Sequence, residues 1–392
     1  MIKRKVLFVV HQLNFGGVQK ALLTALDAID YPENDVTLYV RKNRIDLIDS
    51  VNENVSEIIV NDDPGHYYKK PYAIMLLSLI KVCGLLKGDV SGIKKKLDRY
   101  IVECHMKYEK KKYFSDGKKY DVAISYIQGY NALFTDKCVN ADRKIMFFHG
   151  STDETHEIHE DVFPHFDKIV GVNSGVRDVL CGLYPEFADK ITYLENYVDA
   201  ELVRKRSEEY TVDAPQDKTV LCTCGRFTRV KGFDIAVDAA AMLKEHGVPF
   251  VWYFVGDGPE RESLLRQIAE YGLDDSIIVT GMRDNPYPYM KACDIYVQPS
   301  REEAHPLAII EAKILCKPVV STNTVAGKAL VQENINGMLT QFDGRSLAQT
   351  VSDLVYDNIT CESIKNNLAR WDYTQELLVY RKKWSDLLKL HE

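Results

Sequence analysis

The chain has 392 residues, of which 46% are hydrophobic and 27% are charged. That length exceeds what one hydrophobic core usually supports, and the composition excludes a disordered or fibrous protein. The formal net charge of −7 excludes the generally basic surface of a nucleic-acid binder. We therefore expect two globular domains and no nucleic-acid partner.

The cysteines and apolar runs indicate neither secretion nor a membrane anchor. The nine cysteines are an odd number without Cys-x2-Cys pairs, as is typical of a reducing compartment. The apolar run at 6–10 is too short for a signal peptide, and no small-residue cleavage site follows it. The run at 73–86 contains Lys81 and is shorter than the roughly 20 residues of a spanning helix. The sequence predicts a cytoplasmic protein.

Strand and helix patterns alternate through the first half of the chain. A β-branched run at 5–10 precedes a loop that ends in Gly16-Gly17, and apolar residues at helix spacing cover 18–29. Further strand patterns follow at 36–40, 122–127, 144–148, 168–172 and 191–194. Parallel strands need a crossover that is usually helical, so this alternation predicts a Rossmann-like sheet covered by helices.

A second alternation follows the polar stretch 204–218, which we interpret as a linker. Its predicted strands are 220–224, 250–255, 277–280, 295–298 and 319–321, and its predicted helices are 233–245, 260–271, 287–292 and 307–315. The sequence thus predicts an α/β protein with two doubly wound parallel sheets, in domains 1–198 and 199–372. Ligands of such sheets bind beyond the carboxyl ends of the strands.

An excursion at 67–120 interrupts the first alternation. Its part 87–119 holds eleven basic and five acidic residues, against the acidic balance of the whole chain. Such a basic segment can attract an anionic membrane surface or a phosphorylated acceptor. The alternative is an ordinary solvated helix face.

The most informative local pattern is a pair of glutamates around a predicted helix start. Glu303 precedes a helix that begins near Leu307, and Glu311 lies about one turn into it. A helix N-terminus offers free N–H groups and a positive dipole end to a diphosphate. Carboxylates on either side could accept the hydroxyls of a sugar and a ribose. The alternative is two ordinary acids favoured by the helix dipole.

Several further motifs recur in order along nearly the whole chain. They are Gly16-Gly17-Val18-Gln19, Cys224-Gly225-Arg226-Phe227 with Lys231-Gly232, Val255-Gly256-Asp257-Gly258-Pro259, Thr280-Gly281, Pro299-Ser300 and Pro318-Val319-Val320. Together with the glutamate pair, they resemble the retaining GT-B glycosyltransferases of family GT4. The resemblance implies two Rossmann-like domains that face each other across a cleft, with the C-terminal helix 373–392 packed back on the first domain.

The resemblance implies a donor site for a nucleotide diphosphate sugar. Glu303 would contact the transferred sugar, and Glu311 would bind the ribose. Arg226 and Lys231 would neutralise the leaving diphosphate, although surface charge after a strand is the alternative for both. The remaining donor contacts implied are Gly16, Gly17, Met282, Arg283, His305, Pro306, Leu307 and Ala308.

The first domain would supply the acceptor side and a histidine beside the reacting bond. His149 follows the predicted strand 144–148 and would contact the donor sugar, with a satisfied buried histidine as the alternative. The acceptor-side candidates are Asn14, Gln19, Asp153 and His156. A metal site among Asp153, His156, His159 and His165 is disfavoured, because the resembled family needs no metal and the chain has no Asp-x-Asp.

Two positions depart from the family pattern. Ala304-His305-Pro306 replaces the frequent Gly-Phe-Gly, and Gln19 stands where glutamate is common. The first change alters the lining of the phosphate side, and the second weakens any inference about acceptor polarity. Neither removes a candidate catalytic group.

The resulting hypothesis is a metal-independent retaining transferase. It would move a sugar, from UDP rather than GDP, to a hydroxyl of a glycan or lipid-linked acceptor in surface polysaccharide or capsule assembly. It would be cytoplasmic or peripheral at the inner face of the plasma membrane.

Three other functions are alternatives to this hypothesis. One is a nucleotide-sugar epimerase of the same fold, and another is a non-catalytic scaffold that binds a nucleotide sugar. The third is a dinucleotide oxidoreductase, disfavoured because Arg261 occupies the place of the third glycine after Gly256-Asp257-Gly258.

Overall fold

A computed structural model describes residues 2–14, 16–63, 71–85, 91–150 and 161–389. The chain divides into two compact units. The first unit comprises Met1–Gly171, Leu180–Tyr193 and Lys383–Glu392, and the second comprises Val172–Val179 and Leu194–Lys382. Each unit is built on one sheet.

The first unit contains a seven-stranded parallel sheet in the order β3-β2-β1-β4-β5-β6-β7. Its strands are β1 Arg4–Val10, β2 Asn34–Val40, β3 Glu57–Val60, β4 Tyr120–Ser125, β5 Ala141–Phe148, β6 Lys168–Gly171 and β7 Ile191–Tyr193. The helices along this part of the chain are Gly17–Asp27, Pro71–Leu85, Ser91–Tyr113, Tyr130–Cys138 and Ser174–Leu183. The strand order changes direction between β1 and β4.

The second unit contains a six-stranded parallel sheet in the order β10-β9-β8-β11-β12-β13. Its strands are β8 Thr219–Cys224, β9 Phe250–Val255, β10 Ile277–Gly281, β11 Ile295–Gln298, β12 Val319–Thr322 and β13 Gly337–Thr340. The helices of the later chain are Ala200–Arg206, Phe233–Glu245, Arg261–Glu270, Tyr287–Ala292, Leu307–Ile314, Val325–Leu330, Gly344–Tyr356, Asn358–Ala369 and Tyr373–Leu388. Here the order changes direction between β8 and β11.

The core of the second unit explains why the sequences of its strands are continuous apolar runs. All six residues of β9 are buried, because helices cover both faces of a parallel sheet. Trp252 lies at its centre, fully buried, and its indole N–H donates to Thr223 Oγ at 3.0 Å. That hydroxyl donates in turn to the Val297 carbonyl at 2.8 Å, which links three strands.

The polar stretch 204–218 differs from the predicted linker, since all of it belongs to the second unit. Tyr210 donates to the Asn285 carbonyl at 2.6 Å, and the Asp213 carbonyl accepts from Tyr253 at 3.1 Å. These bonds attach a sequence of low hydrophobicity to the domain. The last helix contributes to both units, because the division falls at Lys383 within it.

Among the described helices, none combines the length and the apolar character needed to cross a bilayer.

Candidate active site

The candidate site of the second unit lies where its strand order reverses. The strands β8 and β11 are neighbours, and the chain leaves them toward opposite edges of the sheet. A crevice forms beyond the carboxyl ends of strands at such a point, and ligands of doubly wound sheets bind there. Lys231 follows β8 and Glu303 follows β11, so the two predicted residues meet across this point.

Glycines let the loops that follow β8, β9 and β11 approach each other closely. A Cβ on Gly256 would lie 1.9 Å from the Gly225 carbonyl oxygen, and one on Gly258 would lie 2.4 Å from the Phe227 carbonyl oxygen. Gly232 has a φ of 66°, and its Cβ would lie 2.0 Å from the Pro299 carbonyl oxygen. Side chains at these positions would push the loops apart, so the glycines bring the site together.

An ion pair fastens the loop after β11 to the helix Phe233–Glu245. Arg301 donates to the two carboxylate oxygens of Asp234 at 2.7 and 2.6 Å. Burial alone would raise the pKa of Asp234, but the hydrogen bonds and charge of Arg301 bring it below its usual value. The Arg301 amide also donates to the Val230 carbonyl at 2.8 Å. The loop that carries Glu303 is therefore held at both its backbone and a side chain.

The Glu303 carboxylate is oriented through a single oxygen. Its Oε1 accepts hydrogen bonds from Lys231 Nζ at 2.7 Å, Ser300 Oγ at 2.8 Å and Gln298 Nε2 at 3.0 Å. The Glu303 side chain is 8% exposed and that of Lys231 is 31% exposed. Within the described ranges no hydrogen bond to Oε2 is present. The carboxylate is thus oriented by three hydrogen bonds to one of its two oxygens.

Gln298 connects this carboxylate to the interior of the sheet. It is the last residue of β11, it is buried, and its Oε1 accepts from the Tyr296 hydroxyl at 2.9 Å. Its amide nitrogen donates to both Ser300 and Glu303. Because both ends of the side-chain amide are bonded, its orientation is determined.

The helix Leu307–Ile314 begins beside this carboxylate. Pro306 precedes it without a side-chain cap, and the first N–H groups of any helix lack partners within the helix. Glu311 lies inside the helix, is 3% exposed, and accepts a hydrogen bond from the Tyr287 hydroxyl at 2.9 Å. This contact places Glu311, the residue predicted to bind the ribose, against the helix Tyr287–Ala292.

His305 lies between Glu303 and that helix. Both of its ring nitrogens are shielded from solvent, and burial lowers its pKa to about 4 despite the opposing effect of the Asn196 backbone. The imidazole is therefore neutral at neutral pH. The Asn173 side chain donates to the Ala304 carbonyl next to it, so the segment Val172–Val179 supports this loop from another part of the sequence.

Three other predicted residues of the second unit lie at the surface. Arg226 is exposed after β8, and within the described chain its side chain makes no hydrogen bond or ion pair. Met282 is 56% exposed after β10. Arg283 is also exposed, with its guanidinium 5.9 Å from the centre of the Tyr289 ring.

The predicted residues of the first unit follow β1 and β5, on either side of β4. Gly16 and Gly17 begin the helix Gly17–Asp27, and Gln19 in its first turn donates to the Gln12 carbonyl at 3.4 Å. The His149 amide donates to Gln128 Oε1 at 3.0 Å, and its ring lies 5.1 Å from that of Tyr126. The carboxyl ends of the strands bring these residues to one edge of the sheet.

The structure describes one of the three remaining candidates of the first unit. Asn14 precedes the glycines and is partly buried. Asp153 and His156 lie outside the described residues. In the described ranges no group of three or more His, Cys, Asp or Glu side chains is arranged to hold a metal ion.

Residues 205–371 match the family model described as glycosyl transferases group 1.

These residues form a glycosyl transferases group 1 domain.

The group 1 domain contains Arg226, Lys231, Glu303 and Glu311, and the resemblance drawn from these motifs is confirmed for it. The lipopolysaccharide core biosynthesis glycosyltransferase LpsE of Rhizobium meliloti is 30% identical over 159 residues, 40% of this chain and 44% of that protein. A Campylobacter jejuni N-acetylgalactosamine-N,N'-diacetylbacillosaminyl-diphospho-undecaprenol 4-alpha-N-acetylgalactosaminyltransferase is 26% identical over 207 residues, 52% of this chain and 55% of that protein. The chain spans about half the length of these curated relatives.

A solved structure extends the likeness of the fold beyond the group 1 domain. The crystal structure of Anabaena Alr3699/HepE in complex with UDP covers 98% of this chain, and 99% of that chain is matched. The TM-score is 0.69 and the identity is 17%. The predicted fold class, the two-sheet α/β architecture of GT-B glycosyltransferases, is confirmed.

Some residues around the group 1 domain site were not predicted as site residues. Gln298 orients Glu303, Tyr287 bonds to Glu311, and Asn173 holds the Ala304 carbonyl. Gln298 gave a local signal, since a glutamine ends an otherwise apolar strand. Asn173 gave none, because it precedes Ala304 by 131 residues.

Proposed function

We propose that this protein is a retaining glycosyltransferase. It would transfer a sugar from a nucleotide diphosphate, preferentially UDP, to a hydroxyl of a glycan or lipid-linked acceptor in surface polysaccharide assembly. The observation that carries this proposal is the Glu303 carboxylate, held by Lys231, Ser300 and Gln298 at the strand-order reversal of a group 1 domain.

The arrangement suits a reaction in which negative charge develops on a leaving diphosphate. Glu303 Oε2 would accept a hydroxyl of the sugar, which fixes the ring. Lys231, Arg226 and the first N–H groups of the helix Leu307–Ile314 would stabilise the diphosphate as the glycosidic bond breaks. Glu311 would accept a ribose hydroxyl.

Retention would follow from attack on the face from which the diphosphate leaves. The acceptor hydroxyl would approach C1 on that face, and a diphosphate oxygen would take its proton. In this scheme no protein carboxylate forms a covalent bond to the sugar, unlike the two-carboxylate route of retaining hydrolases. His149 of the first unit would contact the donor sugar.

The comparisons support the choice of donor and acceptor. HepE was crystallised with UDP, and the Campylobacter relative carries an undecaprenol-linked acceptor in its name. The Rhizobium relative is named for lipopolysaccharide core biosynthesis. We therefore place UDP-sugars and lipid-linked glycans first among the substrates to test. A peripheral position at an anionic membrane through 87–119 is part of the same proposal.

The test is product analysis after incubation with UDP-hexoses and a lipid-linked glycan acceptor. We expect free UDP together with a new glycoside that keeps the anomeric configuration of the donor. An altered nucleotide sugar without release of UDP would identify an epimerase instead. Binding of UDP without turnover of any donor would favour a non-catalytic scaffold.

Metal independence is tested in the same assay. We expect full activity in excess EDTA, since Lys231 and Arg226 would replace a cation at the diphosphate. Activity that is abolished by EDTA and restored by Mg²⁺ or Mn²⁺ would contradict this part of the proposal.

A further inference from the structure

The helix Pro71–Leu85 has an uncovered apolar face. Ala73 and Leu76 are buried against the helix Ser91–Tyr113. Five large apolar side chains of the same helix are between 41% and 51% exposed: Tyr72, Ile74, Met75, Leu77 and Leu79. We call these five residues the apolar face. Several adjacent exposed apolar side chains of this size usually mark an interaction surface.

The layering of the first unit explains why this face is outermost. The helix Ser91–Tyr113 packs on the sheet through Met106, which belongs to the same core cluster as Tyr39 and Tyr120. Its other side receives Ala73 and Leu76. The helix Pro71–Leu85 is therefore a third layer, separated from the sheet by another helix.

The polar groups of this helix do not require water at the apolar face. Ser78 donates its hydroxyl hydrogen to the Ile74 carbonyl at 2.9 Å, within the helix itself. The first charged residue of this helix is Lys81, and residues 71–80 carry no charged side chain. A helix that is apolar around most of its circumference is stable when it is buried or in contact with lipid.

The underlying helix carries positive charge beside this face. Exposed basic residues at spacings of three, four and eight share one side of it: Lys96, Arg99, Lys107, Lys110 and Lys111. We call these residues the basic flank. Glu103 is the acid among them and pairs with Arg99 at 3.6 Å.

Other lysines of the same segment are already paired with acids elsewhere in the unit. Lys112 contacts Asp62, and Lys118 contacts Glu57. Their charge is compensated locally. The uncompensated positive charge of the segment is therefore concentrated on the helix Ser91–Tyr113, against which the helix Pro71–Leu85 packs.

We propose that the apolar face and the basic flank together bind the surface of an anionic lipid bilayer. The helix Pro71–Leu85 would lie in the plane of the interface, with Ile74, Met75 and Leu79 among the acyl chains and the lysines at the lipid phosphates. Burial of the apolar face at the interface would then combine with attraction between the lysines of the neighbouring helix and anionic lipid. A second copy of the chain fits less well, because a symmetric interface would bring two basic flanks together.

The inference rests on the membrane position in the proposed function and deepens it by naming the surface involved, and its test does not require transfer activity. The full-length protein is sedimented with vesicles of phosphatidylcholine containing about 30 mol% phosphatidylglycerol, and with pure phosphatidylcholine vesicles. We expect binding to the anionic vesicles that weakens as NaCl increases. The double variant Met75→Glu, Leu79→Glu should lower the partition coefficient at least about tenfold.

Ile359→Glu is the matched control, because Ile359 is 85% exposed on a helix of the second unit. It should bind vesicles like the wild type. Circular dichroism and thermal unfolding establish that each variant is folded. A wild-type protein that stays in the supernatant with anionic vesicles would overturn the proposal. A double variant that binds vesicles like the wild type would also overturn it. So would sedimentation velocity showing that the wild type is a dimer and that the double variant has lost the dimer.

Discussion

Glu303 is the side chain whose replacement should affect turnover most. In Glu303→Gln the shape is kept, but the charge that pairs with Lys231 is lost, together with the acceptor for a sugar hydroxyl. We expect kcat to fall at least about 100-fold in this variant and by a similar factor in Arg226→Ala. Steady-state kinetics with a UDP-sugar provides the measurement.

Glu302→Gln is the control for that experiment. Glu302 is the neighbouring acid in the same loop, and it should keep a rate close to that of the wild type. If folded Glu303→Gln also turned over like the wild type, the site assignment would be wrong.

Gln298 is a positioning residue whose effect can be separated from that of Glu303. Gln298→Leu removes the amide donor to Glu303 Oε1, and hydrogen bonds to charged groups contribute about 1.5–3 kcal/mol. We expect kcat/KM to fall about ten- to a hundredfold. In Gln298→Glu a second carboxylate would face Glu303, so the acidic limb of the pH profile should move to higher pH.

Gln267→Leu is the matched control for Gln298. Gln267 also donates to a carboxylate, Asp238 Oδ1 at 2.8 Å, and it lies away from the strand-order reversal. Its replacement should leave kcat/KM unchanged. An equal loss in both variants would mean that the effect of Gln298 is only on stability.

His305 should make stability depend on pH between about 4 and 6.5. Burial lowers its native pKa to about 4 from an ordinary 6.5, so the unfolded state binds more protons in this interval. The free energy of unfolding should therefore decrease as pH falls, by about 2 kcal/mol from this residue between pH 7 and pH 5.

The measurement for His305 is urea denaturation of the wild type and of His305→Met at both pH values. The variant should lose part of the dependence. The remainder includes the contribution of His11. Burial and the charges of the neighbouring Lys42 and Arg41 lower the pKa of His11 to about 4 as well. An unchanged dependence would show that His305 is not shielded in solution.

At the scale of elements, Gly232 links the helix Phe233–Glu245 to the loop after β11. Gly232→Ala would place a Cβ 2.0 Å from the Pro299 carbonyl oxygen in addition to straining a φ of 66°. We expect a loss of more than about 2 kcal/mol in the free energy of unfolding, with weaker UDP binding. Thermal unfolding with and without UDP measures both.

Gly247→Ala is the control that separates the steric contact of the added Cβ from the backbone strain of a positive φ. Gly247 has a φ of 74° with no other atom within 4 Å of the added Cβ, so only the backbone strain of about 1–2 kcal/mol applies. Equal losses at the two glycines would contradict the close approach of the loops.

Two edge strands show the limit of pattern-based prediction. The sequence patterns predict the central strands and the edge strands β7 and β10, but they predict neither β3 nor β13, four residues each. Ile58 in β3 is 40% exposed, because an edge strand buries less of its surface than a central one. A short run of half-exposed residues has no periodicity that distinguishes it from a loop.

At the scale of the whole molecule, Trp384 attaches the end of the last helix to the first unit. It is fully buried, with ring centroids 5.3 Å from Phe147 and 5.8 Å from Phe8. Trp384→Ala should cost about 3–5 kcal/mol of stability. Trp371→Ala is the control, since Trp371 is 38% exposed and should cost far less. Comparable losses in denaturant unfolding would mean that this end of the helix does not pack on the first unit.

The sequence by itself determined the two-sheet fold, because the alternation of strand and helix patterns is local and parallel strands require helical crossovers. It also identified Glu303, Lys231 and the start of the helix at Leu307 as parts of one site, because each follows a predicted strand in a strand–loop–helix pattern. Only the tertiary structure decided that Asn173 supports this loop, and that the chain returns to each unit after leaving it. Such contacts join residues far apart in sequence, where no periodicity carries a signal, and they depend on which strands become neighbours.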